Sequence, residues 1–263
     1  MNSKSNYIAR QRSMLRVDLR RMLTTPLLYI LVGASLVMPI LILVMTTMVG
    51  AAPQTGAGAG QEAMATFTNV WQIIGATSTA GGGMSMDLTS MCNSGMMYFI
   101  IAVLVCVFIS EDFKSGYCKN LFTTRADKLE YVVSKTLVGI FGGALMMIAF
   151  FVGGVVGGAI AGLPFDMVGF NGFNLACCML SKILLVSIFV SIYVVMSIVA
   201  KQRTWLSMIL SFGVGMFLFN IAPMVSPLDS GAMNIVLCLA GGVMFAVGLG
   251  AVSNLVLKKT NII

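Results

Sequence analysis

Residues able to do chemistry are few in this chain, and they are unevenly placed. Histidine is absent, which excludes a Ser-His-Asp triad, a His-ligated metal centre, an HExxH protease and a histidine proton relay. No GxxxxGK[ST] phosphate loop occurs, so ATP is not bound in the P-loop manner. The six cysteines form no CxxC motif. Cys106 and Cys238 fall within apolar runs, Cys118 lies in a polar segment, and Cys92, Cys177 and Cys178 lie near run ends, where a disulfide is open but not indicated by spacing. Two features remain. One is the segment 110–135, SEDFKSGYCKNLFTTRADKLEYVVSK, which gathers acids, bases and aromatic residues; the other is Lys182, the one charge well inside an apolar run. With neither histidine nor paired carboxylates inside the apolar runs, the chain reads as non-catalytic.

The elements that position these residues follow from composition. Of 263 residues 58% are hydrophobic and only 10% charged, against about a quarter charged in a soluble domain. Apolar runs of about 18 or more residues recur, each long enough to cross a bilayer. The expected fold is therefore all-α, a polytopic membrane protein with six transmembrane helices and an N-terminal amphipathic interface helix. The expected spans are 27–49 (with Pro39 as a kink), 94–110, 136–161, 175–199, 205–221 and 232–257.

Charge sets the orientation. Six bases precede the first span, five lie between the second and third, two between the fourth and fifth, and Lys258 and Lys259 follow the last. Only Lys182, of 16 basic residues, stands apart from that face, while Glu62, Asp87, Asp166 and Asp229 fall on the other. The positive-inside rule then puts both termini in the cytoplasm, N-in and C-in, and the expected location is the cell membrane of a bacterium, as a multi-pass protein. The polar, basic first 25 residues do not read as a cleavable signal. The basic excess follows topology, so no nucleic-acid partner is expected.

Between the spans, residues 8–25 read as a cytoplasmic helix with Arg12, Arg16 and Arg20 on one stripe and Leu15, Leu19 and Met22 on another, lying on the inner leaflet as a topology anchor or as a partner interface. The outer loop 50–93 carries Met64, Phe67, Trp71 and Ile74 at spacings of three, four and three, a short amphipathic helix expected to cover the bundle mouth rather than to bind cargo or gate. The cytoplasmic loop 111–135 is long for a simple tether. Glu111 and Asp112 close the second span, Ser115-Gly116 offers a break, and Tyr117, Leu121 and Phe122 give a short helix an apolar edge. A second helix is expected from about Thr124, where Thr124 and Asp127 have capping-box spacing, with Arg125 in its first turn. A helix–turn–helix of mixed charge at the membrane surface is a protein docking element. Lys182 faces a translocation path, pairs with Asp166 or Asp229, or snorkels outward to lipid headgroups. Glycines in the third span (Gly139, Gly143, Gly153, Gly154, Gly157, Gly158, Gly162) and in the sixth (Gly241, Gly242, Gly248, Gly250) are expected to let helices approach closely.

With Glu111, Asp112, Ser115, Gly116, Arg125 and Lys135 between the second and third spans, a basic amphipathic helix ahead of the first, and six spans in all, nearly the whole chain resembles the permease subunits of ATP-binding cassette exporters of the second permease type. It looks most like small members that export, or give immunity to, bacteriocin-like peptides. The resemblance implies that the loop holds a coupling helix seated in a groove of a separate cytosolic ATPase. It also implies two ATPase copies, a second permease copy, identical or related, and ATP and Mg carried by the ATPase rather than by this chain. The short connection 222–231, with Pro223 and Pro227, departs from the re-entrant outer helices common in that family. From another class, the rival is a non-transporting membrane scaffold or sensor whose loop docks a different partner.

Overall fold

A computed structural model describes residues 2–51, 67–76, 92–123 and 127–259. Among these the chain is all-helical: α1 (Asn2–Thr24), α2 (Pro26–Ala51), a 3-10 turn (Val70–Ile73), α3 (Met96–Lys114), α4 (Tyr117–Thr123), α5 (Lys128–Ala161), α6 (Gly172–Ala200), α7 (Thr204–Val225) and α8 (Ala232–Lys259). Five helices are long and apolar enough to cross a membrane: α2 over Pro26–Met48, α3, α5, α6, and α8 over Ala232–Lys258. This is the architecture of a multi-pass membrane protein. The sixth expected span coincides with α7, whose apolar stretch, Thr204–Phe219, is shorter than the other five.

Helix ends shift from expectation where local chemistry is stronger than hydropathy. α3 runs through Glu111 and Asp112 to Lys114, because Asp112 is paired inside the protein rather than left for water to solvate. The break then comes at Gly116, whose φ of 73° is the left-handed conformation that glycine adopts without penalty. α5 is continuous from Lys128, with Asp127 at its N-cap and making no side-chain capping bond. Thr124 and Arg125 lie outside the described residues, as does Met64. α1 stops one residue before Pro26, the position at which proline best opens the next helix, and the Thr25 hydroxyl donates back to the Arg21 carbonyl at 2.8 Å.

α5 and α6 form the middle of the bundle. α5 packs on α1, α2, α3, α6 and α8, and α6 on α3, α5, α7 and α8. α3 and α6 are mostly buried, whereas α2 and α8 leave most of their apolar surface exposed, as helices facing lipid would. Of the seven glycines expected to admit close neighbours here, six do so on separate faces, whereas Gly162 has nothing within 4 Å and is the left-handed C-cap of α5. A Cβ at Gly157 would lie 2.7 Å from the Ile40 Cα of α2, and one at Gly153 would meet the Leu36 carbonyl and Pro39, so α2 and α5 touch backbone to backbone where Pro39 interrupts the α2 bond ladder. In α8, Gly242 is pressed against Ser187, but Gly248 and Gly250 have nothing within 4 Å, and the close packing expected there is absent.

At 34 residues α5 is about 51 Å long, well beyond a hydrocarbon layer of about 30 Å. The ends of such a helix must stand outside the apolar layer, and polar structure collects at both.

Candidate functional site

At one end, α1, α3, α4 and α5 meet around four charges that alternate in sign. Lys135, fully buried on α5, places its Nζ 2.8 Å from Asp18 Oδ1 of α1 and 2.6 Å from Asp112 Oδ2 of α3. Arg21, one turn beyond Asp18, brings its guanidinium to 2.9 Å from Asp112 Oδ1 and 4.0 Å from Asp18 Oδ1. Two hydroxyls add to these contacts: that of Ser134 donates to Asp18 Oδ2 at 2.6 Å and that of Tyr131 to Asp112 Oδ2 at 3.1 Å, while Asp112 Oδ1 has the Arg21 ion pair alone. Two acids and two bases balance in sign, so each of the side chains 0% exposed at Asp18, Asp112 and Lys135 has an opposite partner beside it.

Aromatic rings close the cluster. Lys135 Nζ lies 4.1 Å from the centroid of Phe108, and the Arg21 guanidinium 4.3 Å from that of Tyr117, the first residue of α4. Burial works against the charge on Arg21, but the attraction and hydrogen bond of Asp112, helped by Tyr117 and Asp18, raise its pKa further above the ordinary value. For Tyr117, burial and then Asp18 push the phenol up, with Arg21 only partly offsetting them. Burial pushes the neighbouring Cys118 thiol up to about 11. All six cysteines are free, Cys92, Cys177 and Cys178 included.

Further bonds fasten the same end to the rest of the bundle. Lys114, just before α4, donates to the Thr204 hydroxyl of α7 at 2.7 Å, and Lys128, just after it, donates to the Leu257 carbonyl of α8 at 2.7 Å. Arg10 reaches the buried Glu130 at 3.1 Å. α1, α3, α5, α7 and α8 are thus each tied to α4 or to the residues that flank it, and α2 follows α1 through Thr25.

The expected loop residues divide into two groups. Asp112, Tyr117 and Phe122 turn inward, Phe122 meeting Tyr131 edge-on at 5.7 Å between centroids. Leu121 is half-buried against the same core, so the apolar edge of α4 is covered by this chain rather than open to lipid or a partner. Glu111, Lys114, Ser115, Lys119, Asn120 and Thr123 form the exposed side, with Gly116 at the turn. On α1, Arg12, Arg16 and Arg20 are exposed, while Met14, Asp18 and Met22 make up the face buried against the protein. Asp18, Arg21 and Lys135 had not stood out as site residues. The available signal was the spacing of four that puts Asp18, the sole acid of α1, in line with Met14 and Met22.

At the other end, residues 67–76 form a cap whose Phe67, Val70, Trp71, Ile73 and Ile74 are buried. Ser94 N–H donates to the Ile73 carbonyl at 2.9 Å, Leu228 N–H to the Ala76 carbonyl at 2.9 Å, and Trp71 Nε1 to the Phe165 carbonyl at 3.1 Å. The cap therefore ties together the connections of three helix pairs at this end of the bundle. Instead of a helical stripe it is one 3-10 turn, opened by Asn69 and Gln72 in a reciprocal capping box. Lys182 lies beneath it. The side chain is 4% exposed and does not run out to the surface; its amine donates to the Ser226 hydroxyl at 3.3 Å, and no carboxylate among the described residues comes within ion-pair distance.

Among the described residues no group of His, Cys, Asp or Glu converges as metal ligands would. No family model, curated protein or solved structure matches the chain.

Proposed function

We propose that this chain is the membrane-spanning permease subunit of an ATP-driven exporter, moving an amphiphilic peptide or another hydrophobic cargo with energy supplied by a separate ATPase. The observation that carries the reading is the joint around α4. A short surface helix lays Tyr117 on Arg21 of α1 and Phe122 on Tyr131 of α5, beside the buried charges that join α1, α3 and α5, and the lysines on either side of it, Lys114 and Lys128, hold α7 and α8. A push on α4 would therefore reach the spans as a displacement of the whole end rather than be lost in a loop. Its exposed side, with Lys119, Asn120 and Thr123, is the surface offered to the ATPase. In this reading α7 serves as a sixth span, both termini are cytoplasmic, and the joint lies at the inner leaflet. ATP and Mg belong to the partner, because the chain has no phosphate loop. Half of a symmetric pathway implies a second permease copy, identical or related, above two ATPase subunits.

Affinity purification of the intact complex tests this. A P-loop ATPase should come down with the wild-type chain, and Lys119→Glu combined with Thr123→Glu should abolish cargo-stimulated ATP hydrolysis while leaving thermal unfolding of the permease unchanged. Purification with a different cytosolic protein and no ATPase would instead establish the scaffold or sensor class. Coupled transport that survives both substitutions would remove α4 as the docking helix.

A further inference from the structure

The amine of Lys182 is underused. A primary ammonium carries three N–H donors. Among the described residues it has one oxygen partner, the neutral Ser226 hydroxyl at 3.3 Å, the long end of hydrogen bonding. That hydroxyl spends its own hydrogen on the Ala222 carbonyl at 3.0 Å, so it can only accept from the lysine. The groups in immediate contact with it are weakly polar or apolar, and the acid that acts on this cluster is Asp229, which is felt at Cys178. A Cβ on Gly75 of the cap would sit 3.5 Å from the amine and 3.9 Å from Leu228, and the Cys178 thiol lies alongside, donating to the Ser226 carbonyl at 3.5 Å. The Tyr98 hydroxyl fixes the helix at this point by donating to the Lys182 carbonyl at 3.1 Å.

Depth identifies what could complete the site. Lys182 lies ten residues into α6, about 15 Å from Gly172 along the axis. Its partner Ser226 is the C-cap of α7, and the cap closes directly over both. The amine is thus level with the end of a neighbouring apolar helix, the depth at which a headgroup rather than an acyl chain would meet it, and among the described residues the 67–76 segment is what closes over it. The cap's long-range hydrogen bonds run to the outer loops and to the N-terminal approach of α3, so it can lift without unwinding a span.

We infer that Lys182 and Ser226 form an anion-recognition site under the outer cap, which takes the phosphate of an anionic phospholipid headgroup when the cap lifts. The two N–H groups not used by Ser226 donate to the phosphate oxygens, and the apolar cap residues fall back over the acyl-chain side. The inference does not depend on the exporter reading; it concerns any function that admits an amphiphile from the outer leaflet.

The test uses the full chain in nanodiscs of phosphatidylcholine, with and without phosphatidylglycerol. The readouts are the thermal midpoint and the alkylation rate of Cys178, which is fully buried under the closed cap, in a variant whose other five cysteines are Ser. Phosphatidylglycerol should raise the midpoint and speed Cys178 alkylation several-fold, Lys182→Met should lose both responses, and Lys182→Arg should keep them. Inorganic phosphate added to phosphatidylcholine discs should do neither; if it reproduces both responses through Lys182, a free anion rather than a lipid is the ligand and the lipid assignment is overturned. Equal responses in wild type and Lys182→Met, or none in either, overturn the site itself. If Lys182→Met fails to fold, Lys182→Gln serves in its place under the same criteria.

Discussion

Replacing Lys135 with Met keeps the length of the side chain and removes its charge, and the outcome can be estimated from the contacts. The amine sits 2.8 Å from Asp18 and 2.6 Å from Asp112, with all three side chains 0% exposed. At an effective dielectric constant of about 20, each contact is a gross attraction of about 6 kcal/mol. Most of that offsets the desolvation of the ions, so the net effect of removing one partner is smaller, on the order of 3–5 kcal/mol, and comes from stranding buried carboxylate charge. Arg21 moderates the loss at Asp112 but lies 4.0 Å from Asp18. For a chain of this size, where each kcal/mol moves the midpoint by about 2–4 °C, Lys135→Met should lower it by roughly 6–20 °C. Adding Asp18→Asn leaves one acid and one base and should recover about half of the loss, a coupling of about 1–3 kcal/mol between positions 117 apart in sequence. Thermal unfolding of the purified protein, followed by the fluorescence of Trp71 and Trp205, reads both variants. A fall of less than about 2 °C for Lys135→Met, or a further fall when Asp18→Asn is added, would refute the buried network as the element that holds α1 to the bundle.

Gly157→Ala should cost about 1–3 kcal/mol, because the new methyl would sit 2.7 Å from the α2 backbone, whereas Gly213→Ala, with open space around it, should leave the midpoint unchanged or slightly raised. In a variant retaining Cys118 alone, alkylation at pH 8 should be about 100-fold slower in the folded protein than in denaturant, since a thiol near 11 rather than 9.0 supplies that much less thiolate. The sign follows for stability: the raised thiol pKa favours the fold up to about pH 9, and this contribution is lost as pH climbs through about 11. Trp71→Phe keeps one aromatic ring but deletes the indole N–H that donates to the Phe165 carbonyl along with part of the buried surface, so it should cost about 1–3 kcal/mol and increase cap opening, read as faster alkylation of Cys178.

What the sequence determined by itself is the repeating unit of this protein. Runs such as 136–161 and 175–199 are apolar for longer than a soluble helix needs, and in hydrocarbon a backbone can satisfy its own hydrogen bonds over such a length only as a helix, so position and type were legible without any long-range information. The excess of bases over acids near the joint was legible too, because charge is a property of each residue alone. Pairing is not. Asp18 on a helix crowded with arginines looked like one more surface charge, and Lys135 looked like the edge of a span; only the packing of α1 across α3 and α5 puts them 2.8 Å apart. Tyr117 and Phe122 were recognisable as a face that must be covered, but whether lipid, a partner or this chain covers it was decided by where Arg21 and Tyr131 fall. Lys182 shows the same division. Its isolation in an apolar run was evident at once, whereas its burial beneath a cap contributed from over a hundred residues earlier is a consequence of topology, because the groups that enclose a buried charge come from whichever segments the fold brings together.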